Sequence, residues 1–94
     1  MNLEEELVLH PKGTCYYKSG IPYLLYTKDN WADIKKFCAP FAVEKTEKGA
    51  SDGRALVDLP TGNESFTYGI ILVKLGTKRI LFFHQSEFGE LFKI

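Results

Sequence analysis

The stretch Ser65–Phe88, SFTYGIILVKLGTKRILFFHQSEF, decides how this chain is read, because it holds the strongest apolar signal and one of the two histidines. Residues 70–73 and 80–83 are apolar at every position. A continuous apolar, β-branched and aromatic run of this length fits a strand covered on both faces. The pair Gly76-Thr77 separates the two runs, and a glycine at the first loop position tolerates the positive φ of a tight hairpin. A two-residue loop there predicts partners summing to 153: Val73 with Ile80, Ile71 with Phe82, Gly69 with His84. The hairpin, Phe66–Lys74 and Lys78–His84, is expected at the centre of a sheet.

The flanking segments are read from the same patterns. After the hairpin, SEFGELFKI offers Ser86 as N-cap, Glu87 and Glu90 near the first turn, and Phe88, Leu91 and Phe92 on one face, which predicts a short closing helix. Before it, Arg54–Leu59 reads as a strand closed by the turn formers PTGNES. VEKTEKGASDG, residues 43–53, reads as a mobile surface loop carrying a frayed edge strand. In DNWADIKKFCAP, Asp29 can cap a helix whose Trp31, Ile34, Phe37 and Cys38 recur at three- and four-residue steps, with Pro40 as its stop. Thr14–Lys18 and Tyr23–Tyr26, divided by Ser19-Gly20-Ile21-Pro22, read as two short aromatic strands. The expectation is an α+β fold: a mainly antiparallel sheet of four to five strands packed on one principal helix, with a short C-terminal helix. One domain over 1–94 is expected, with 1–13 as a loosely attached segment.

Composition narrows the chemistry. Twelve Lys plus Arg balance twelve Asp plus Glu, so no one-signed field draws the chain to nucleic acid or anionic lipid. No apolar run approaches the ~18 residues of a membrane span, and acidic residues stand where a signal peptide would be basic. A cytoplasmic chain is expected, with Cys15 and Cys38 as reduced packing residues.

A resemblance joins these segments. Tyr17-Lys18, Pro22, the Trp-containing helix Asn30–Cys38, the strand Tyr68–Lys74, a short turn, an aromatic strand and the closing Ser86–Phe92 together resemble a family of small phage and prophage proteins. Those carry a Lys-Lys-Pro segment, an Asn-Xaa-Xaa-Xaa-Ile-Xaa-Xaa-Phe helix, a Pro-Gly-Asp-Tyr hairpin motif and a final Asp-Xaa-Phe-Xaa-Xaa-Xaa-Tyr. Here Ser65-Phe66-Thr67 replaces Pro-Gly-Asp, and Phe82-Phe83-His84 replaces an aromatic-Pro-Cys ending. The resemblance spans about residues 16–92. It implies a phage or prophage origin and a life in the bacterial cytoplasm, and it brings no activity with it.

No catalytic residue is assigned. His84 could serve as a general base, but no nucleophile sits in a recognisable turn, and the expected role is a strand-end hydrogen bond. His10, His84, Cys15 and Cys38 stand singly, with no ligand-pair spacing, so no metal or other cofactor is expected. Asp29 and Asp33 fall on the helix's wet side. Two features carry the binding hypotheses. Surplus tyrosines beside lysines point to a protein partner, a host factor or a second copy, held by Tyr17, Tyr23, Tyr26, Lys18 and Lys28. Lys74, Lys78 and Arg79 gather positive charge at the hairpin tip, with Lys74 opposite Arg79, and would hold the phosphate of a nucleotide-like ligand. The leading reading is a non-enzymatic module acting by protein–protein interaction; the alternative is the small-ligand binder, and an enzyme of unrecognised type ranks third.

Overall fold

The computed structural model describes residues 2–16, 19–46, 51–77 and 79–94. Its elements are α1 (Leu3–Leu9), β1 (Tyr23–Leu25), α2 (Trp31–Cys38), β2 (Val43–Lys45), β3 (Ala55–Leu59), β4 (Gly62–Phe66), β5 (Ile71–Leu75), β6 (Arg79–Phe83) and α3 (Gln85–Leu91). The class is α+β, but the strands do not form one sheet. Two three-stranded antiparallel sheets are present, ordered β1-β5-β6 and β2-β3-β4.

The division falls inside the opening stretch. Phe66 ends β4 in one sheet and Ile71 begins β5 in the other, so the expected strand Phe66–Lys74 is broken at residues 67–70. Gly69 has φ of +91° there, a conformation open to glycine and costly for other residues. The turn formers PTGNES also do more than close a strand. Pro60-Thr61 alone makes the turn, Leu59 pairs with Gly62, and the following residues return as β4.

The central hairpin is real, but its register is one residue away from that expected. Ile71 pairs with Phe83, Val73 with Leu81 and Leu75 with Arg79, and Gly76, directly after β5, takes φ of +64°. A one-residue slip ordinarily throws apolar side chains into water and is thereby excluded. Here both faces are apolar, and the pattern discriminates poorly between registers.

Both faces are covered, as the continuous runs require. On one side Leu72 and Ile80 pack in a cluster with Ile34 and Cys38 of α2, Ala55, Val57 and Leu59 of β3, and Phe66 of β4. Phe66 and Phe82 stack at 5.4 Å, joining the two sheets. On the other side Ile71 and Val73 meet Phe88 of α3, with Leu81, Phe83 and Phe92 around them. The strand β3 shows the simple alternation of a one-faced strand: Ala55, Val57 and Leu59 buried, Asp58 exposed.

The helix α2 buries the face its periodicity foretold, with Trp31 and Phe37 half-buried beside Ile34 and Cys38. Its N-cap is Asn30, not Asp29. Asn30 instead ties the preceding turn to β1: its Nδ2 donates to the Leu25 carbonyl at 2.6 Å and its Oδ1 accepts from Thr27 N–H at 2.8 Å. Lys74 sits at the other end, its Nζ 2.8 Å from the Ala39 carbonyl, where a cation complements the negative end of the helix dipole. Residues 14–16 form no strand, and residues 17 and 18 lie outside those described. Val43–Lys45 is an edge strand, as expected within the 43–53 segment, whose residues 47–50 lie outside the description.

The two cysteines differ. Cys38 is fully buried, and burial pushes its thiol up to about 11, partly opposed by the Lys74 charge; Cys15 is exposed, contrary to the packing role expected of it. Because the thiolate is the reactive form, a thiol reagent at neutral pH is expected to modify one cysteine per native chain, Cys15. The second is expected to react after unfolding, and mass spectrometry of the digested product checks this. Rapid native labelling of Cys38 would show that the α2 packing is wrong.

Candidate functional site

Three of the exposed large apolar side chains among the described residues, Tyr23, Leu91 and Ile94, line one cleft. Alternation along β1 sends Leu24 toward the α2 side and turns Tyr23 toward α3, opposite Val73. The Tyr23 ring lies 5.2 Å from Phe88, which α3 presents from its buried face. Ile21 and the end of α3 complete a groove of 310 Å³ along the edge strand β1. Leu91 and Ile94 stand on its lip, 65% and 85% exposed, and Tyr23 is 42% exposed. Among the described lining residues, Lys93 carries the one charged side chain.

This groove is built by α3, so its local determinants matter. The helix starts two residues earlier than Ser86 as N-cap would place it: Gln85 is its first residue and His84 its N-cap. The Glu87 carboxylate accepts the His84 backbone N–H at 2.9 Å, closing the first turn. Phe88 and Phe92, four residues apart and 5.0 Å between rings, then fall on one face. His84 is exposed and sits at the strand-to-helix junction, where its backbone is used by the cap.

The residues proposed from sequence divide sharply. Tyr23 lies in the groove, and Lys28 is exposed in the turn before α2. Tyr26 is not a surface anchor: it is 1% exposed, its ring packs against Trp31, Phe66 and Tyr68, and its hydroxyl donates to the Gly53 carbonyl at 2.8 Å. Tyr17 and Lys18 lie outside the described residues. The chain matches no protein-family model, no curated protein and no solved structure.

The hairpin-tip charges are rearranged by the register. Lys74 pairs with Ile80 and Arg79 with Leu75, so the two cations point to opposite faces and are not directly opposed. Lys74 is engaged at the end of α2, and Lys78 lies outside the described residues. Among the described residues no three His, Cys, Asp or Glu side chains gather as a metal could require, and no helix is long and apolar enough to cross a membrane.

Sequence reasoning missed Leu91 and Ile94 as site residues. The spacing of three from Phe88 predicts Leu91 on the core face. The structure buries Phe88 and leaves Leu91 at the lip, since one short helix covers only part of the sheet.

Proposed function

We propose that the chain is a non-enzymatic binding module acting by protein–protein interaction through the groove between β1 and α3. The observation that carries this reading is Tyr23: half of a large amphipathic ring is open to solvent beside exposed Leu91 and Ile94, over a buried aromatic floor. Tyrosines in such settings anchor interfaces because they cover much area at small entropic cost. Lys93 on the lip suits a polar rim, and Lys28, exposed in the turn before α2, is outside the groove lining. The resemblance to small phage proteins makes a bacterial host factor the first heterologous partner to seek.

The test is affinity capture from bacterial lysate, comparing wild type with Tyr23→Ala. A captured partner is expected to bind Tyr23→Ala more weakly by over ~1 kcal/mol, with an unchanged circular dichroism spectrum. Affinity is expected to vary little between low and moderate salt, since the groove is mainly apolar. Retention of the partner by Tyr23→Ala would overturn the reading. Thermal stabilisation by a nucleotide, abolished on replacing Lys74 and Arg79, would move the function to the hairpin.

A further inference from the structure

The N-terminal helix α1 poses a physical problem. It has seven residues, LEEELVL, and none of its side chains is buried. Local signals favour it: the Asn2 Oδ1 accepts the Glu5 N–H at 2.9 Å, and Glu4, Glu5 and Glu6 occupy the positive end of the helix dipole. Yet isolated helices shorter than about 12 residues are marginal in water, and their stability comes from packing an apolar face. Leu3, Leu7, Val8 and Leu9, between 56% and 80% exposed, are the side chains that packing would use.

The other exposed apolar surface is the groove. Among the described residues, eight large hydrophobic side chains are exposed; four belong to α1 and three, Tyr23, Leu91 and Ile94, line the groove, leaving Tyr16 alone. The two surfaces also match in charge: the charged residues of α1 are three glutamates, and the lining contributes Lys93. A helix of this length is about 10 Å long, and Leu3 and Leu7 lie one turn apart on one side of it. Within a single chain α1 does not fill the groove: none of its residues is buried and none lines the cleft.

We infer that the groove receives α1 of a second copy of this chain, in a reciprocal two-fold exchange that places each helix along its partner's β1 and α3. The inference rests on the reading of the groove as a protein-binding site and names its occupant. An isologous arrangement covers both apolar patches twice and leaves no open end for further growth. The glutamates of α1 approach Lys93 at the rim, while Leu3 and Leu7 meet Tyr23, Leu91 and Ile94.

Sedimentation equilibrium of the full chain tests this. Wild type is expected to be dimeric at micromolar concentration. Leu7→Glu and, separately, Leu91→Glu each place a charge in the contact and are expected to raise the dissociation constant by about 100-fold or more. Both positions are exposed in the monomer, so each variant should keep the wild-type circular dichroism spectrum. Mixing the two variants is the decisive arm: the intact helix of Leu91→Glu can enter the intact groove of Leu7→Glu, so a mixed dimer with one good contact should reappear. A monomeric wild type, a dimer indifferent to both substitutions, or a mixture with no recovery would overturn the exchange. If the chain is monomeric while Tyr23→Ala still loses a captured partner, this inference fails and the groove's binding role stands. If neither association depends on Tyr23 or Leu91, both fall.

Discussion

Replacing Tyr26 with Ala is expected to leave the chain largely unfolded at room temperature. The ring is buried among Trp31, Phe66 and Tyr68, with centroid distances of 5.9, 5.3 and 4.8 Å, and its hydroxyl satisfies the buried Gly53 carbonyl. Losing a buried aromatic costs ~3–5 kcal/mol, and leaving that carbonyl unpaired adds ~1–3 kcal/mol. A domain this small has a stability of about 5 kcal/mol, near the lower end of the usual range. Tyr26→Phe separates the terms, since it keeps the ring and removes the hydrogen bond, and a loss of about 1–3 kcal/mol is expected in urea. The same burial shapes the alkaline limit. Burial first, then the neighbouring Tyr68 and Asp52, push the Tyr26 hydroxyl up from 10.0 to about 12. The unfolded chain therefore sheds this proton first: the contribution is complete below pH 10.0 and is lost as pH rises through about 12. Melting temperature should fall across that window less steeply in Tyr26→Phe. A Tyr26→Ala protein with native melting behaviour would contradict the core described above.

Gly53→Ala is the second large effect, and it follows from a contact with Tyr68, the ring packed beside Tyr26. Gly53 is buried with φ of +68°, and a Cβ built there would overlap the ring of Tyr68. Tyr68 is held in place by its own backbone, whose N–H donates to the Asp52 carbonyl at 2.9 Å, and by its ring contact with Tyr26. The strained φ costs ~1 kcal/mol and displacing a packed ring ~1–3 kcal/mol more. A loss of about 2–4 kcal/mol is thus expected from the urea midpoint. Substituting Gly62, which also has positive φ but faces open space, should cost less, because the backbone penalty stands without the overlap. Equal losses at the two glycines would show that Tyr68 does not pack on Gly53.

The glycine illustrates how the sequence conceals a structural demand. GASDGR looks like ordinary loop composition, and nothing in it announces that the second glycine must admit an aromatic ring from fifteen residues onward. Tyr26 is a similar case. Beside Tyr23 in YLLY it reads as one of several surplus aromatics, and alternation within a short strand would place the two on opposite faces without saying which face is wet. Tyr26 falls on the same face as Leu24, toward α2 and the second sheet, where its N–H donates to the Ile70 carbonyl and its carbonyl accepts from Gly69, while Tyr23 on the other face remains at the groove.

By itself the sequence determined the elements whose signal is local. Periodicity placed α2 and its buried face, two apolar runs placed the central hairpin, and the continuous apolarity of residues 70–73 and 80–83 required cover on both sides, which α2 with the second sheet and α3 supply. Tertiary structure alone decided the rest. Whether Phe66 and Ile71 share a sheet depends on the break at 67–70, whose stability is set by what each side packs against. The hairpin register expected from a two-residue loop is one residue off, because with both faces apolar a one-residue slip only exchanges one buried face for another. The groove was invisible for a related reason: local pattern says that Tyr23, Leu91 and Ile94 prefer to leave water, but the area available to bury them depends on how far a seven-residue α3 reaches across the sheet.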